Sequence, residues 1–304
     1  MAKDTKNRTI KAITIDFISK TTIGSVNGAD TEIENVPTVK KITLREGVQI
    51  PYISAQAIKR YIRDIWHERG LPLSEPQATE GKGVQSTKRD PFNYIDDDLF
   101  GFMFEEKERR TAPVRIKPAH GNLAFFGDKD YGTHMKITPE GSRDPGNIFE
   151  TEMYYNYFSN TVLIEVDRVG CGKDPKEKFE GKACAKETKI ERVIYLFEAI
   201  RDLWGGGRQS RFLTDISPKF AIISFLEIKK PFLLEVIGTD DKGNVKIENI
   251  KSAISENQEV IINQFIGVTR GVFGNDDQIT IEWPNIPSTR DAFNAATGYL
   301  NQVF

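Results

Sequence analysis

The sequence predicts an α+β fold, and three observations carry that reading. Residues 10–26 are β-branched and alternate as a long strand. Residues 51–70 and 188–204 place apolar side chains at helical spacing. Residues 220–229 form a short apolar run of buried-strand character. The order is strand–helix, a long interruption, strand, then helix–strand, which gives a sheet with helices on one face and two excursions. With 304 residues, 38% hydrophobic and 28% charged, there is enough apolar material for a real core.

The first strand sets Ile13, Ile15 and Phe17 against Thr14, Asp16 and Ile18, and Asn27-Gly28 signals a turn. A further strand is expected near residues 39–44. The helix at 51–70 has Ser54 as N-cap, Ile58, Ile62 and Ile65 on one face, and Gly70-Leu71-Pro72 as its stop. Residues 71–93 lack periodicity and read as a long loop. The triplet Asp96-Asp97-Asp98 reads as a solvated or capping cluster, followed by apolar Leu99-Phe100. Residues 119–156 are rich in turn dipeptides and read as a protruding hairpin. A strand is expected over 157–168, and a lysine-rich loop over 170–187. Helix 188–204 runs into Gly205-Gly206-Gly207-Arg208. The remainder is read as a helix near 248–258, a strand near 260–270, and a helix capped at Ser288 or Thr289.

The net charge of −2 argues, taken whole, against a nucleic-acid binder. It is an average. Residues 1–69 carry +4 and residues 201–230 carry +3, against −3 over 119–158 and −5 over 231–304. A fold that joins the two basic stretches would build a basic surface on a neutral protein. Cys171 and Cys184 are too few for a disulfide framework, and the three histidines are scattered. No apolar run is long enough to span a membrane, and the polar start has no secretory h-region, so a cytoplasmic location is expected. Gly170-Cys171-Gly172-Lys173 lacks the spacing of a phosphate loop, with Asp174 where Ser or Thr would be needed.

Two motifs are suited to phosphate. At the start of a helix the free N–H groups and the dipole favour an anion. Ser54 and Gln56 add polar groups there, and Lys59, Arg60 and Arg63 follow on the polar face. Gly205, Gly206 and Gly207 permit close backbone approach to a ligand, with Arg208 and Arg211 adding charge. By itself each stretch serves equally well as an ordinary basic helix face or as a helix C-cap and loop.

The order of these motifs resembles the CRISPR-associated Cascade backbone subunit, the DevR-type autoregulator family of the RAMP superfamily. The resemblance is carried by Tyr52-Ile53-Ser54-Ala55-Gln56-Ala57-Ile58-Lys59-Arg60, Asp97-Asp98-Leu99-Phe100-Gly101-Phe102 and Arg110-Thr111-Ala112-Pro113-Val114-Arg115. It continues in Phe149-Glu150-Thr151-Glu152 and in Gly205-Gly206-Gly207-Arg208 through Ser217-Pro218. It covers most of the chain to about residue 230. Ala112-Pro113 stands where Ser-Pro is commoner.

The resemblance implies a modified RRM-like (ferredoxin-like) palm. Residues 1–69 would be its first part, 70–113 a fingers insertion, 114–118 a connection, 119–156 a thumb hairpin, and 157–304 the second part with a C-terminal extension. It implies a non-catalytic type I subunit, close to I-B, without cofactor or metal. The implied partners are CRISPR RNA, further copies of itself in a helical filament, other Cascade subunits, and target DNA through guide pairing. Carried over by residue, Asn27, Ser54, Gln56, Lys59, Arg60, Arg63, Gly205, Gly206, Gly207, Arg208 and Arg211 would bind RNA. Phe125, Phe126 and Met135 would be thumb wedges against bases. The acidic thumb and tail would meet basic parts of the next copy. The alternative is the backbone subunit of type III effectors, which cleaves target RNA with an acid in the loop after the first strand, where Asp30, Glu32 and Glu34 stand. Residues 51–59 follow the DevR pattern instead. A transcriptional regulator would need a DNA-reading helix, and none stands out.

Overall fold

The computed structural model describes residues 8–33, 36–75, 77–78, 85–103, 109–133, 136–137, 143–144, 148–172, 179–205 and 209–304. Among these residues the main sheet has nine strands. They are β1 (Ala12–Gly24), β2 (Lys41–Thr43), β3 (Gln49–Ile53), β4 (Val114–Ile116), β5 (Ala119–Gly121), β6 (Gly127–Thr133), β7 (Ile148–Glu165), β8 (Pro218–Leu226) and β9 (Ile261–Val268). The spatial order is β9-β8-β1-β7-β5-β3-β2, and the pairings are antiparallel. β7 is the long member. Along one edge it pairs with β1, and along the other it pairs in turn with β6, β5 and β4. The strand expected over 157–168 therefore begins nine residues earlier, at Ile148, because its first part forms a hairpin with β6.

Seven helices are described: α1 (Ala55–Glu68), α2 (Ile95–Phe100), α3 (Lys186–Arg201), α4 (Gln209–Phe212), α5 (Ile247–Glu256), α6 (Asp276–Glu282) and α7 (Thr289–Val303). Ser54 caps α1, its hydroxyl accepting from Ala57 N at 3.3 Å. Ser288 caps α7 in the same way through Asp291 N, at 3.1 Å. The α1 stripe of Ile58, Ile62, Ile65 and Trp66 packs with Leu196, Phe197 and Ile200 of α3 and Phe293 of α7, over Ile13, Ile15 and Phe17. Each such side chain contributes about 1.5–3 kcal/mol when fully buried.

Helices cover both faces of the sheet, and this corrects the one-face expectation. Ile18, Phe220 and Ile222 project from the opposite face, and Leu233, Ile237, Ile250 of α5 and Ile279 of α6 close over them as a second core. The cause is visible in β1 and β8, which are buried on both faces over most of their length. Such strands need two layers of cover.

The acidic triplet is also unlike the expectation. Asp96, Asp97 and Asp98 lie on α2 and are all buried. Asp98 receives the guanidinium groups of Arg110 and of Arg192, the latter at 2.5 Å, and the N–H of Gly170 at 2.9 Å. The arginines spend their remaining N–H groups on the carbonyls of Arg168, Cys171, Pro91 and Phe92. Asp98 thus ties α2 to Arg110, to Gly170 and to α3. Gly101 ends α2 at φ +68, where an added Cβ would collide with the Arg110 carbonyl. We expect Gly101→Ala to lose at least about 2 kcal/mol of stability, measured by chemical denaturation, from the positive φ and the clash together.

Candidate nucleic-acid interface

The α1 N-terminus lies at the end of β3, which neighbours edge strand β2 and delivers the chain through Ile53 into the Ser54 cap. Gln56 and Arg60 are exposed there. Arg60 reaches Asp64 at 2.9 Å on its own helix, a surface pair that leaves it accessible. Lys59 is half-buried with its ammonium 5.4 Å over the Phe100 ring. Burial lowers its pKa, and the charge of Arg63 adds to that. A phosphate placed at the α1 N-terminus would restore the balance. Arg63 is turned elsewhere: it lies 4.9 Å over Phe100 and donates to Asp96 at 3.1 Å. It joins α1 to α2, so its charge is already used inside the chain.

Asn27 is equally committed. It sits at φ 59, is 7% exposed, and its Nδ2 donates to the Tyr52 carbonyl at 2.9 Å. It holds the chain beyond β1 against β3 and thereby positions the cap.

The loop after α3 comes to the same place. Gly205 has φ +108, and a Cβ there would sit 3.9 Å from the Tyr61 ring of α1. Its carbonyl accepts from Thr214 Oγ1 at 3.3 Å. Gly206, Gly207 and Arg208 lie outside the described residues, as does Met135. Arg211 on α4 pairs with Asp130 of β6 at 2.5 Å and donates to Thr151 of β7 at 2.9 Å. The two basic stretches of the sequence do converge, but much of their charge is spent within the chain. Lys41 pairs with Glu152 at 2.9 Å, Lys219 with Asp215 at 2.5 Å, and Arg69 with Glu198 at 2.7 Å. The β6–β7 hairpin is thus tied by its acids to its own palm.

Of the wedge candidates, Phe125 is packed inward, 5.6 Å from Tyr154 and with Lys41 4.2 Å over its ring. Phe126 is 93% exposed at the mouth of the same hairpin. The side chains of Asp30, Glu32 and Glu34 lie outside the described residues. Among the described residues no group of three or more His, Cys, Asp or Glu is placed to hold a metal ion. No described helix is long and apolar enough to cross a membrane.

Residue-by-residue reading missed the Tyr52 and His120 pair. The two are opposite each other across β3 and β5. The signal that could have found them is the pairing of the two strands, which lie 66 residues apart in sequence from the end of one to the start of the other.

A protein-family profile described as CRISPR-associated negative auto-regulator DevR/Csa2 matches residues 22–247, about three quarters of the chain. A search of curated protein sequences finds no match. Among solved structures, a chain of the "CRISPR RNA-guided surveillance complex, pre-nicking" superposes with TM-score 0.60 at 13% identity, covering 96% of this chain and 100% of that one. A chain of a "CRISPR RNA-guided surveillance complex" superposes with TM-score 0.59 at 13% identity, covering 95% and 99%. At that identity the likeness shows the fold, an α+β palm of the RRM-like kind. The family match rests on the chain itself, and it takes in the Ser54 cap, the Asp98 network and the glycine loop. The chain belongs to the DevR/Csa2 family of CRISPR-associated proteins.

Proposed function

We propose that this protein is a non-catalytic, guide-RNA-binding backbone subunit of a type I CRISPR effector complex. It polymerises along the RNA and presents the guide for pairing with target DNA. The observation that carries the reading is the α1 N-terminus at the end of β3, where Ser54, Gln56, Lys59 and Arg60 stand on the helix whose Tyr61 lies beside Gly205. Backbone N–H groups and cations recognise phosphate without reading sequence, and pairing is then left to the guide bases. The second core over residues 231–286 supports the same placement. It covers the central strands on the face where an open RRM sheet would stack bases, and so directs RNA to the edge.

The test is RNA affinity as a function of salt. Lys59→Ala with Arg60→Ala removes two cations without stripping a buried acid of its partner. It should weaken binding to every guide sequence alike and reduce the slope of log affinity against log salt by about 1.4, at about 0.7 per phosphate contact on single strands. An unchanged slope would return this helix to the status of an ordinary solvated face. Incubating the assembled complex with guide-complementary RNA and magnesium should leave that RNA intact. Site-specific cuts abolished by Asp30→Ala would instead establish the type III reading.

A further inference from the structure

The face of the sheet opposite α1, α3 and α7 is covered at its centre, and a gap remains between that cover and strands β3 and β5. A cleft of about 530 Å3 opens there, between the β2–β3 hairpin and residues 235–246. That is within the ~300–1,000 Å3 range of small-molecule sites. We propose that it binds a single nucleotide, taking the base between the sheet and the C-terminal layer and the phosphate at its rim. The inference deepens the RNA-binding reading and rests on it only for the source of the nucleotide.

The strand register builds the floor. Ile53 and Ala119 point into the helix-side core, so their neighbours Tyr52 and His120 share the other face. Directly opposed residues on antiparallel strands have Cβ atoms about 5 Å apart. A phenol and an imidazole thus lie side by side on the floor of the cleft. Burial, with help from Lys117 and Lys246, pushes the His120 pKa down to about 4, so its ring is uncharged at neutral pH. Two flat, uncharged rings on a sheet surface suit base stacking.

Behind the walls lie two polar groups without hydrogen-bond partners among the described residues. Asn122 and Thr239 are among the lining residues, and their Nδ2 and Oγ1 atoms lie buried behind the cleft wall. Thr239 is 2% exposed, so its hydroxyl is cut off from bulk water. Buried polar groups of this kind are rare and call for a partner. An amide donor and a hydroxyl suit the carbonyls and ring nitrogens of a base edge. A purely apolar protein side chain would leave both unsatisfied.

The rim carries the charge. Lys117 donates to the Leu234 carbonyl at 2.7 Å and is occupied, while Lys246 is exposed at the mouth. Glu235 shares the rim, and Lys246 is the exposed cation there that is left for a phosphate. Tyr52 stands two residues before the Ser54 cap, so an RNA strand passing the α1 N-terminus has this cleft within one nucleotide's reach.

Three measurements on the full chain test the proposal. First, AMP and adenosine are titrated separately. AMP should saturate, and Lys246→Glu should reduce its affinity about tenfold, to that of adenosine, while adenosine binding holds. Second, Tyr52→Ala should weaken both about tenfold and Tyr52→Phe should not, the scale of one lost base–aromatic stack. Third, a short single-stranded RNA containing 5-iodouridine is irradiated, and its adducts should map to Tyr52 or His120. The proposal is overturned if AMP does not saturate, or if Lys246→Glu leaves AMP binding untouched. Adducts confined to other residues overturn it as well. So does a Tyr52→Ala variant that binds nucleotide normally and loses only self-association, which would mark the cleft as a protein–protein contact. Saturable AMP binding by a chain that binds no RNA would uphold the cleft and refute the RNA-binding reading, so the two failures are distinguishable.

Discussion

Asp98→Ala is expected to lower the unfolding free energy by about 3–5 kcal/mol, the usual consequence of removing one member of a buried ion pair. The carboxylate is fully buried, and its removal strands Arg110 and Arg192, which are 3% and 5% exposed. Their remaining carbonyl partners accept hydrogen bonds but carry no net charge to oppose two guanidinium groups. Urea denaturation reads the loss. A cycle with Arg192→Met should recover part of it, because one stranded cation is then gone. A loss below about 1 kcal/mol would refute the buried ion-pair role of Asp98. The consequence is local as well as global, since this carboxylate joins α2 to Gly170 and α3. Limited proteolysis should cut the variant first between residues 70 and 113.

Asp16→Asn is expected to have the opposite sign. Asp16 is buried in the middle of β1, and its pKa is raised to about 6 because burial penalises the charged form. The hydroxyl of Thr161 donates to it at 2.7 Å, but that bond, Thr14 and the charge of Lys117 offset only part of the penalty. Below the unfolded value of about 3.9 both states are protonated, and the group contributes nothing. As pH rises from there to about 6 the folded state retains a proton that the unfolded chain releases, so stability falls. Above pH 6 the full cost is present, about 3 kcal/mol from a shift of roughly two units. The asparagine form cannot ionise. It should gain a comparable amount over the parent at pH 7.5, and the gain should vanish towards pH 3. Equal denaturation midpoints for the two proteins at pH 7.5 would refute the assignment.

Much of the fold was legible where a single element carried its own periodicity. The caps at Ser54 and Ser288, the α1 stripe, and the strands at β1, β8 and β9 follow from spacing alone. What was not legible depends on partners distant in sequence. Asp96-Asp97-Asp98 looks like a solvated cluster until Arg63, Arg110 and Arg192 are known to surround it. Asn27 and Arg63 are polar residues in a promising stretch, yet each is used by a neighbour inside the fold. The segment charges located two basic stretches correctly but could not show how many of those cations answer acids of the same chain. The second face of the sheet was missed for a related reason. An all-apolar strand such as β8 tells that it is covered, but not by which elements.

The long strand β7 has a consequence for how the protein is made. β1 is synthesised first and is strongly apolar, but its two neighbours in the sheet begin at residues 148 and 218. On the ribosome its edges stay open until most of the chain has emerged. Pairings of such high sequence separation form slowly and leave sticky strand edges exposed in the interval. Nascent chains truncated before residue 218 should therefore aggregate or hold a chaperone, and folding should become cooperative only once β8 closes the second edge of β1.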